Sequence, residues 1–272
     1  MTKTVLITGS STGFGHATAK RFADAGWNVV ATMRDTSGAT DLSNRDNVLV
    51  TYLDVTDPVS IDNALKAGLS HFGKLDVLIN NAGYGQYGIF ESIPARKIQR
   101  NYDVNVFGVM NVTRAVIPIF REQHEGLILN VSSMGGFFGL PVSSIYISTK
   151  FALEGFTESL SYELASQNIV VKIVEPGGGD TAFHARAAKT STDDPRLKSY
   201  DSFLAQTEAF FGELIKGIVP PEKIADVIYG AVTDGSKRLR YMAGDDVKRF
   251  VDARRSLSDE DYENYMRAQV AG

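Results

Sequence analysis

Tyr146 and Lys150 lie four residues apart in Tyr-Ile-Ser-Thr-Lys, the spacing that puts two side chains on one face of a helix. A free phenol titrates near ~10, so at neutral pH it is a poor base and a reluctant acid. A neighbouring ammonium stabilises the phenolate and lowers that value. The pair is therefore expected to work as an acid/base couple. Tyrosine and lysine at this spacing are commonplace on helices, so the reading depends on the residues around them.

The run Gly9-Ser-Ser-Thr-Gly13-Phe14-Gly15 follows a short apolar stretch and leads into a helical pattern. Glycine lets the backbone turn tightly and approach a ligand with no Cβ in the way. The N–H groups at the start of the following helix then point at an anion, and the helix dipole adds to the attraction. A diphosphate is the natural guest. Gly9, Ser11, Gly13, Phe14 and Gly15 are thus candidate dinucleotide contacts, with Gly15 ascribed to close approach of the phosphates. The spacing is G-x-x-x-G-x-G and not the commoner G-x-G-x-x-G.

About twenty residues after such a loop, an acid closing the second strand would bind the ribose 2′-hydroxyl of NAD, whereas an arginine suits the 2′-phosphate of NADP. Here the strand is expected to end at Met33, which leaves Arg34 to meet the phosphate. NADP(H) is favoured over NAD(H), and Asp35 would be the ribose acid if the register were off by two. An oxidised nicotinamide beside Lys150 would help supply the roughly 4 kcal/mol that lowers a phenol by about three units. The same glycines also satisfy G-x-S-x-G, the elbow of a serine hydrolase with Ser11 as nucleophile. Only eight residues precede that motif, and the later histidine would have to be His124 or His184.

Positioning these groups falls to alternating strands and helices. Nearly all-apolar strands are expected at 4–8, 28–33, 48–54, 75–80, 127–131, 170–175 and 239–242, the signature of a parallel sheet buried on both faces. Helical rhythms carry Ile61, Leu65, Leu69 and Phe72, then Ile98 through Phe120, then Leu153, Phe156, Leu160 and Leu164. The alternation predicts an α/β fold, a doubly wound parallel (Rossmann) sheet of about seven strands with helices on both faces and right-handed crossovers. One domain over 1–272 is expected, with a loop–helix lid at 184–221 and C-terminal helices over 245–270. The lid helix carries Tyr200, Phe203, Leu204, Phe210, Phe211, Leu214 and Ile218 on one side. Ser258 and Asp261 form a capping box for a last helix, with Tyr262, Tyr265 and Met266 along one face.

Strand ends on one edge converge on a crevice. Ser132 and Ser133 close the fifth strand, Asn80 to Gly83 the fourth, and Asn105 lies in the helix between. With TGSSTGFG at 8–15, LDV at 53–55, NNAG at 80–83, NVFG around Asn105, NVSS ending at Ser133, YISTK at 146–150 and PG at 176–177, the chain resembles the short-chain dehydrogenase/reductase family over about residues 3 to 181. The segment ATMRD is similar to its NADP-preferring, hydroxysteroid- and retinol-dehydrogenase-like members. The resemblance implies an oxidoreductase in which Tyr146 is the acid of carbonyl reduction and the base of alcohol oxidation. It implies that Ser133 bonds the substrate oxygen, that Lys150 lowers the phenol and holds the ribose, and that Asn105 anchors a water relaying protons to Lys150. By the same resemblance Asp54 and Val55 contact adenine, and Asn81, Ala82 and Gly83 line the ribose side. Pro176, Gly177, Gly179 and Thr181 border the nicotinamide end. Gly179 stands where the family usually has an aliphatic residue, which implies looser packing there. Homodimers or homotetramers through the helices of Asn105 and Tyr146 are also implied. A sensor using the fold without chemistry is the alternative, although it need not retain Tyr146, Lys150, Ser133 and Asn105 together.

The substrate side is read from Phe137, Phe138, Leu140, Val142 and Phe183, which suggest an apolar pocket for an uncharged hydrophobic ketone, aldehyde or alcohol. Composition narrows the rest. Hydrophobic residues at 43% and charged residues at 22% exclude a disordered chain. The balance of 28 Lys+Arg against 32 Asp+Glu gives −4, the wrong sign for a nucleic-acid groove. With no cysteine, and with His16, His71, His124 and His184 scattered, no metal site is expected. The apolar run after Lys3 is too short for a signal core, and the chain is expected to be cytoplasmic and off the membrane.

Overall fold

The structure, a computed structural model, describes residues 2–178, 194–214, 217–245 and 248–271. Seven strands form one all-parallel sheet: β1 (Thr4–Thr8), β2 (Asn28–Met33), β3 (Val48–Tyr52), β4 (Val77–Asn80), β5 (Gly126–Val131), β6 (Ile169–Pro176) and β7 (Arg240–Ala243). Their order is β3-β2-β1-β4-β5-β6-β7, the doubly wound arrangement expected. All seven lie where the sequence puts them, with ends shifted by a residue or two. β2 does end at Met33, and Thr8 pairs with Thr32 just before it. The chain reverses its winding between β1 and β4, so the crevice opens at their C-terminal ends.

The helices are α1 (Gly13–Asp24), α2 (Thr40–Ser43), α3 (Pro58–Phe72), α4 (Ala95–Tyr102), α5 (Gly108–Gln123), α6 (Ser144–Ala165), α7 (Asp201–Leu214), α8 (Pro221–Thr233), α9 (Lys248–Ser256) and α10 (Asp259–Ala271). α3 shows how local chemistry fixes their ends. Asp57 accepts from the Val59 N–H at its start, and Gly73 closes it in the left-handed region at φ 77°. One apolar layer packs β1, β2 and β6 against α1 and α8, through Val5, Ile7, Phe22, Val29, Val174 and Ile228. A second packs the other face against α3, α5 and α6, through Leu6, Ile61, Leu78, Val116, Phe120 and Leu160.

One expectation needs correction. The single helix read over 98–120 is two helices joined by a π turn, Asp103–Phe107. Apolar periodicity does not register one extra residue in a turn, but a π turn re-aims what it carries. The whole stretch Ala95–Gln123 is long and apolar enough to cross a membrane by length and composition, yet Val109, Val112, Val116 and Phe120 are buried in the protein core. Of the lid expected at 184–221, residues 184–193 and 215–216 lie outside the described residues, and its helix is α7. In α7 only Thr207 and Phe210 are buried outright. Phe210, Phe211 and Leu214 join Met134, Phe138, Phe250, Val251 and Tyr262 in a third apolar cluster, away from the two sheet layers. The capping box at Ser258 is present: Ser258 Oγ accepts from Asp261 N–H at 3.2 Å and donates to its carboxylate at 2.7 Å.

Candidate active site

Ser133 lies two residues beyond β5 and caps a short 3₁₀ turn, Met134–Gly136, where its Oγ accepts the Gly135 N–H at 3.1 Å. That bond fixes the serine rotamer. Tyr146 and Lys150 share the inner face of α6, and the Lys150 Nζ stands 5.7 Å from the centre of the Tyr146 ring. The Ser133 hydroxyl acts on the Tyr146 phenol and favours its ionised form. The three residues predicted to do the chemistry therefore meet at one spot on the sheet's C-terminal edge, Lys150 buried and Ser133 and Tyr146 half-buried.

The electrostatics differ from expectation. The Tyr146 phenol is raised, not lowered, to about 12, because burial outweighs the effect of Ser133. Lys150 sends its ammonium to the Val131 carbonyl at 3.0 Å. Burial pulls that amine down to about 8, against the opposing charge of Glu154. Desolvation disfavours whichever form of each group is charged, and here it is the larger effect on both.

Asn105 sits on the π turn and is 1% exposed. Its side chain is a clamp: Oδ1 accepts Tyr84 N–H at 3.0 Å, and Nδ2 donates to the Tyr84 carbonyl at 2.9 Å and to Thr149 Oγ1 at 3.1 Å. It thus ties the segment after β4 to the residue beside Lys150. Sequence reasoning missed Tyr87, whose ring lies 5.9 Å from that of Tyr146, and nothing in its local sequence signals that. It also missed Glu154, one turn beyond Lys150, although four-residue spacing could have found it.

The glycine loop is where the sequence places it, with Gly9 at φ 74° and Gly13 at φ 60°. The reason for Gly15 is different from the one expected. A Cβ there would fall 2.3 Å from the Asn81 amide nitrogen and 2.3 Å from the Gly9 carbonyl, so the chain itself requires glycine. Asn81 in turn donates to the carbonyls of Thr8 at 2.9 Å and Gly9 at 3.2 Å. Its amide holds the loop in shape, while Ala82 N–H donates to Thr8 Oγ1 at 3.0 Å. Gly83 packs against Asn105, where a Cβ would lie 3.2 Å from Oδ1.

Thr12 caps α1 without a side-chain hydrogen bond, and the first turn holds no acid, which suits an anion at that helix start. Beside it opens a cavity of about 230 Å³ lined by Ser10, Ser11, Thr12, His16, Met33, Asp35, Gly38, Ala39 and Asp41. The end of β2 and the glycine loop thus border one hollow. Arg34 is exposed beside it. Asp54 faces Thr56, and Arg100 at 3.8 Å, while Val55 is buried against the start of α5. Pro176 and Gly177 end β6, where Gly177 N–H bonds the Ala243 carbonyl at 2.9 Å. Gly179, Thr181, Phe183 and His184 lie outside the described residues. A larger hollow of about 490 Å³ beside the end of β7, lined by Val219, Lys223, Ile224 and Asp245 among others, holds none of these groups.

His16 gives its Nε2 to Asp41 at 2.9 Å, and among the described residues no hydrogen bond joins Ser11 to a histidine. On the substrate side, Phe138 is 2% exposed and belongs to the third cluster. Phe137 and Leu140 lie half-buried on that cluster, and Val142 takes an unusual φ of 49° just before α6.

A doubly wound sheet that gathers a glycine loop, a serine and a Tyr–Lys helix at one edge defines an oxidoreductase of the dinucleotide-binding kind. The family model described as short chain dehydrogenase matches residues 3–192, and the chain belongs to that family. An uncharacterised oxidoreductase of Schizosaccharomyces pombe is 42% identical over 231 residues, 84% of this chain and 94% of the relative. A 3-ketodihydrosphingosine reductase of Bacteroides thetaiotaomicron is 38% identical over 240 residues, 88% of this chain and 87% of the relative. Among solved structures, a short-chain dehydrogenase from Streptomyces avermitilis superposes with TM-score 0.81 at 31% identity, covering 98% of this chain and 97% of that one. A 3-ketoacyl-(acyl-carrier-protein) reductase from Brucella melitensis, complexed with NADH, gives 0.75 at 30%, covering 88% and 96%. ElxO with NADP bound gives 0.73 at 25%, covering 89% and 98%.

Proposed function

We propose that this oxidoreductase interconverts an uncharged hydrophobic ketone or aldehyde and its alcohol with NADP(H), using Tyr146 as acid and base. The observation that carries the reading is the convergence of Tyr146, Lys150 and Ser133 at the sheet's C-terminal edge. When bound, the dinucleotide gives or accepts the hydride. The protein's part is to hold a proton on the Tyr146 oxygen, where it can pass to the substrate oxygen as charge develops there. Ser133 donates to the same oxygen, and its rotamer is already set by Gly135. Lys150 keeps a positive charge behind the phenol and offers its ammonium to ribose hydroxyls. Asn105 holds the segment after β4 against α6 and so keeps the two halves of the site in register.

Apolar substrates are supported by Phe137, Leu140, Phe211 and Leu214, which are half-buried on the cluster beside the Ser133 turn. The name of the Bacteroides relative, a reductase of a long-chain ketone, agrees. NADP(H) is supported by Met33 at the strand end and Arg34 just after it. One observation favours NAD(H) instead: Asp35 and Asp41 both line the neighbouring cavity, and acids there would repel a 2′-phosphate. A small-molecule substrate, with no nucleic acid or membrane partner, completes the proposal.

The test is a panel of hydrophobic ketones followed at the absorbance of the reduced cofactor, with NADPH and NADH in parallel. NADPH turnover at least tenfold above NADH is expected, and the reverse order would overturn the cofactor assignment. Tyr146→Phe should lose about 10²–10⁴ in turnover while binding the dinucleotide as before. Turnover near the wild-type rate in that variant would end the mechanism.

A further inference from the structure

Behind Lys150 lies a second polar cluster that the proposed reaction does not use. Glu154 stands one helical turn further along α6 and is 7% exposed. Glu175 on β6 is wholly buried, and among the described residues neither of its carboxyl oxygens has a hydrogen-bond partner. Arg240 on β7 reaches both, its Nε lying 3.3 Å from Glu154 Oε2 and 3.4 Å from Glu175 Oε1. A terminal nitrogen of the same guanidinium is engaged by Glu158, 2.6 Å away on α6. On its other side Glu154 presses under the turn that carries Ser133, where a Cβ on Gly136 would fall 2.7 Å from Glu154 Cγ. The Ser132 hydroxyl at the end of β5 faces the same carboxyl. Lys150, Glu158, Glu175, Arg240 and Ser132 are thus the groups around Glu154, with Arg238 and Arg255 acting on Glu175 from further off.

One guanidinium cannot balance three carboxylates. Glu158 occupies one end of it, and the two buried acids compete for Nε. Two carboxyls so close in a low-dielectric interior do not both ionise. Glu175 is the one that keeps its proton: burial, then the charge of Glu154, pushes it up to about 8. Burial raises Glu154 too, but Ser132, Arg240 and Lys150 all pull it back. The ionised member therefore sits one turn from the catalytic amine.

We propose that Glu154 is a positioning residue of this active site: its buried carboxylate keeps the Lys150 ammonium charged and braces the Ser133 turn, while Glu175 stays protonated so that the anion remains on Glu154. The inference rests on the reading of Lys150 as part of the reaction. It predicts where the charges lie whether or not any ketone is turned over.

Protein carrying ¹³C-labelled lysine side chains, with Lys150→Arg to identify the signal, reports the Lys150 titration in the chain alone. The wild-type midpoint is expected near 8. In Glu154→Gln it should fall by about one pH unit, and Glu154→Asp should restore most of the shift. The alkaline limb of kcat/KM for ketone reduction should move the same way. A folded Glu154→Gln protein with an unmoved midpoint overturns the proposal. A second measurement needs no change at Glu154. Protein labelled with ¹³C at the glutamate carboxyls should show a protonated carboxyl at neutral pH that disappears in Glu175→Gln. If that signal survives in Glu175→Gln, the neutral acid is Glu154 and the proposal is wrong. A midpoint that moves as expected in a chain reducing no ketone would uphold this charge arrangement and sink the reaction instead.

Discussion

A phenol and an amine buried side by side are pulled in opposite directions by the same desolvation. Tyr146 is held at about 12 and Lys150 at about 8, each mainly by burial. At neutral pH the phenol therefore carries its proton and the amine most of its charge, the state carbonyl reduction needs. A lysine with a depressed value is charged below it and loses that charge as pH rises through it. For reduction, kcat/KM should be level near neutrality and fall about tenfold per unit above the Lys150 value of about 8. Alcohol oxidation, which needs the phenolate, should instead rise with pH across the same range. Both limbs can be measured with one ketone/alcohol pair. A reduction limb that breaks only near the ordinary lysine value would show that burial does not control the site. That Tyr146 and Lys150 share one helix face was legible from their spacing, while Ser133 came from the family resemblance. The direction of the phenol's shift was not, because it depends on how completely α6 is covered, and spacing carries no measure of burial.

Among the elements, the strands were the most legible. Residues 4–8, 28–33 and 169–176 are apolar almost without interruption, and only a parallel sheet covered on both faces accommodates such runs. The π turn at 103–107 was not legible, since Val106, Val109, Val112 and Val116 keep a helical rhythm straight across it. Nor was the role of a buried lysine within an apolar strand: Lys172 in β6 is 1% exposed. It donates to the Ala231 carbonyl at 2.7 Å, the Asp234 carboxylate at 2.7 Å and the Tyr241 hydroxyl at 3.1 Å, so one ammonium joins β6, the end of α8 and β7. Replacing it with Met removes the cation from three acceptors at once. Because Asp234 is one-third exposed and water can reach it, the loss should be at the low end for a broken buried pair, about 3 kcal/mol. Denaturant unfolding of Lys172→Met against wild type measures this directly. Hydrogen bonds from Lys172 and Tyr241 hold Asp234 well below the usual carboxylate range. The stabilisation it brings is present above the unfolded aspartate value and fades as pH falls below it. The gap between wild type and Lys172→Met should accordingly narrow in acid. A gap that stays constant down to strongly acidic pH would show that packing, not the ion pair, is what the substitution removes.

At the scale of the whole molecule, the sheet, its winding and the edge where the site forms all follow from pattern and motif. What covers the outer faces of α5 and α6 does not, because outward residues are under no packing rule within one chain. Phe107, which ends the π turn before α5, is 48% exposed, and on α6 Phe151 is 46% and Tyr162 71%. Phe151, Gly155, Ser159 and Tyr162 recur at the spacing of one helical stripe, and a Cβ on Gly155 would meet nothing within 4 Å. Large aromatics beside small residues suit a self-complementary contact, in which a two-fold axis sets the same patch against itself. We propose that two copies pair through this face. The site follows from the same geometry: Tyr102 on α4 bonds Ser148 on α6 at 2.9 Å, so a partner pressing on the stripe would clamp the helix carrying Tyr146 and Lys150 against its neighbour. Phe107→Glu with Phe151→Glu puts charges on the face proposed to pair, and like charges brought together in an interface cost several kcal/mol. Analytical ultracentrifugation should then show a dimer or tetramer in the wild type and a monomer in the double variant. If clamping matters, the monomer should bind the dinucleotide normally and turn over more slowly. A wild type that sediments as a monomer at micromolar concentration would refute the pairing, and with it any contribution of a second copy to the rigidity of α6.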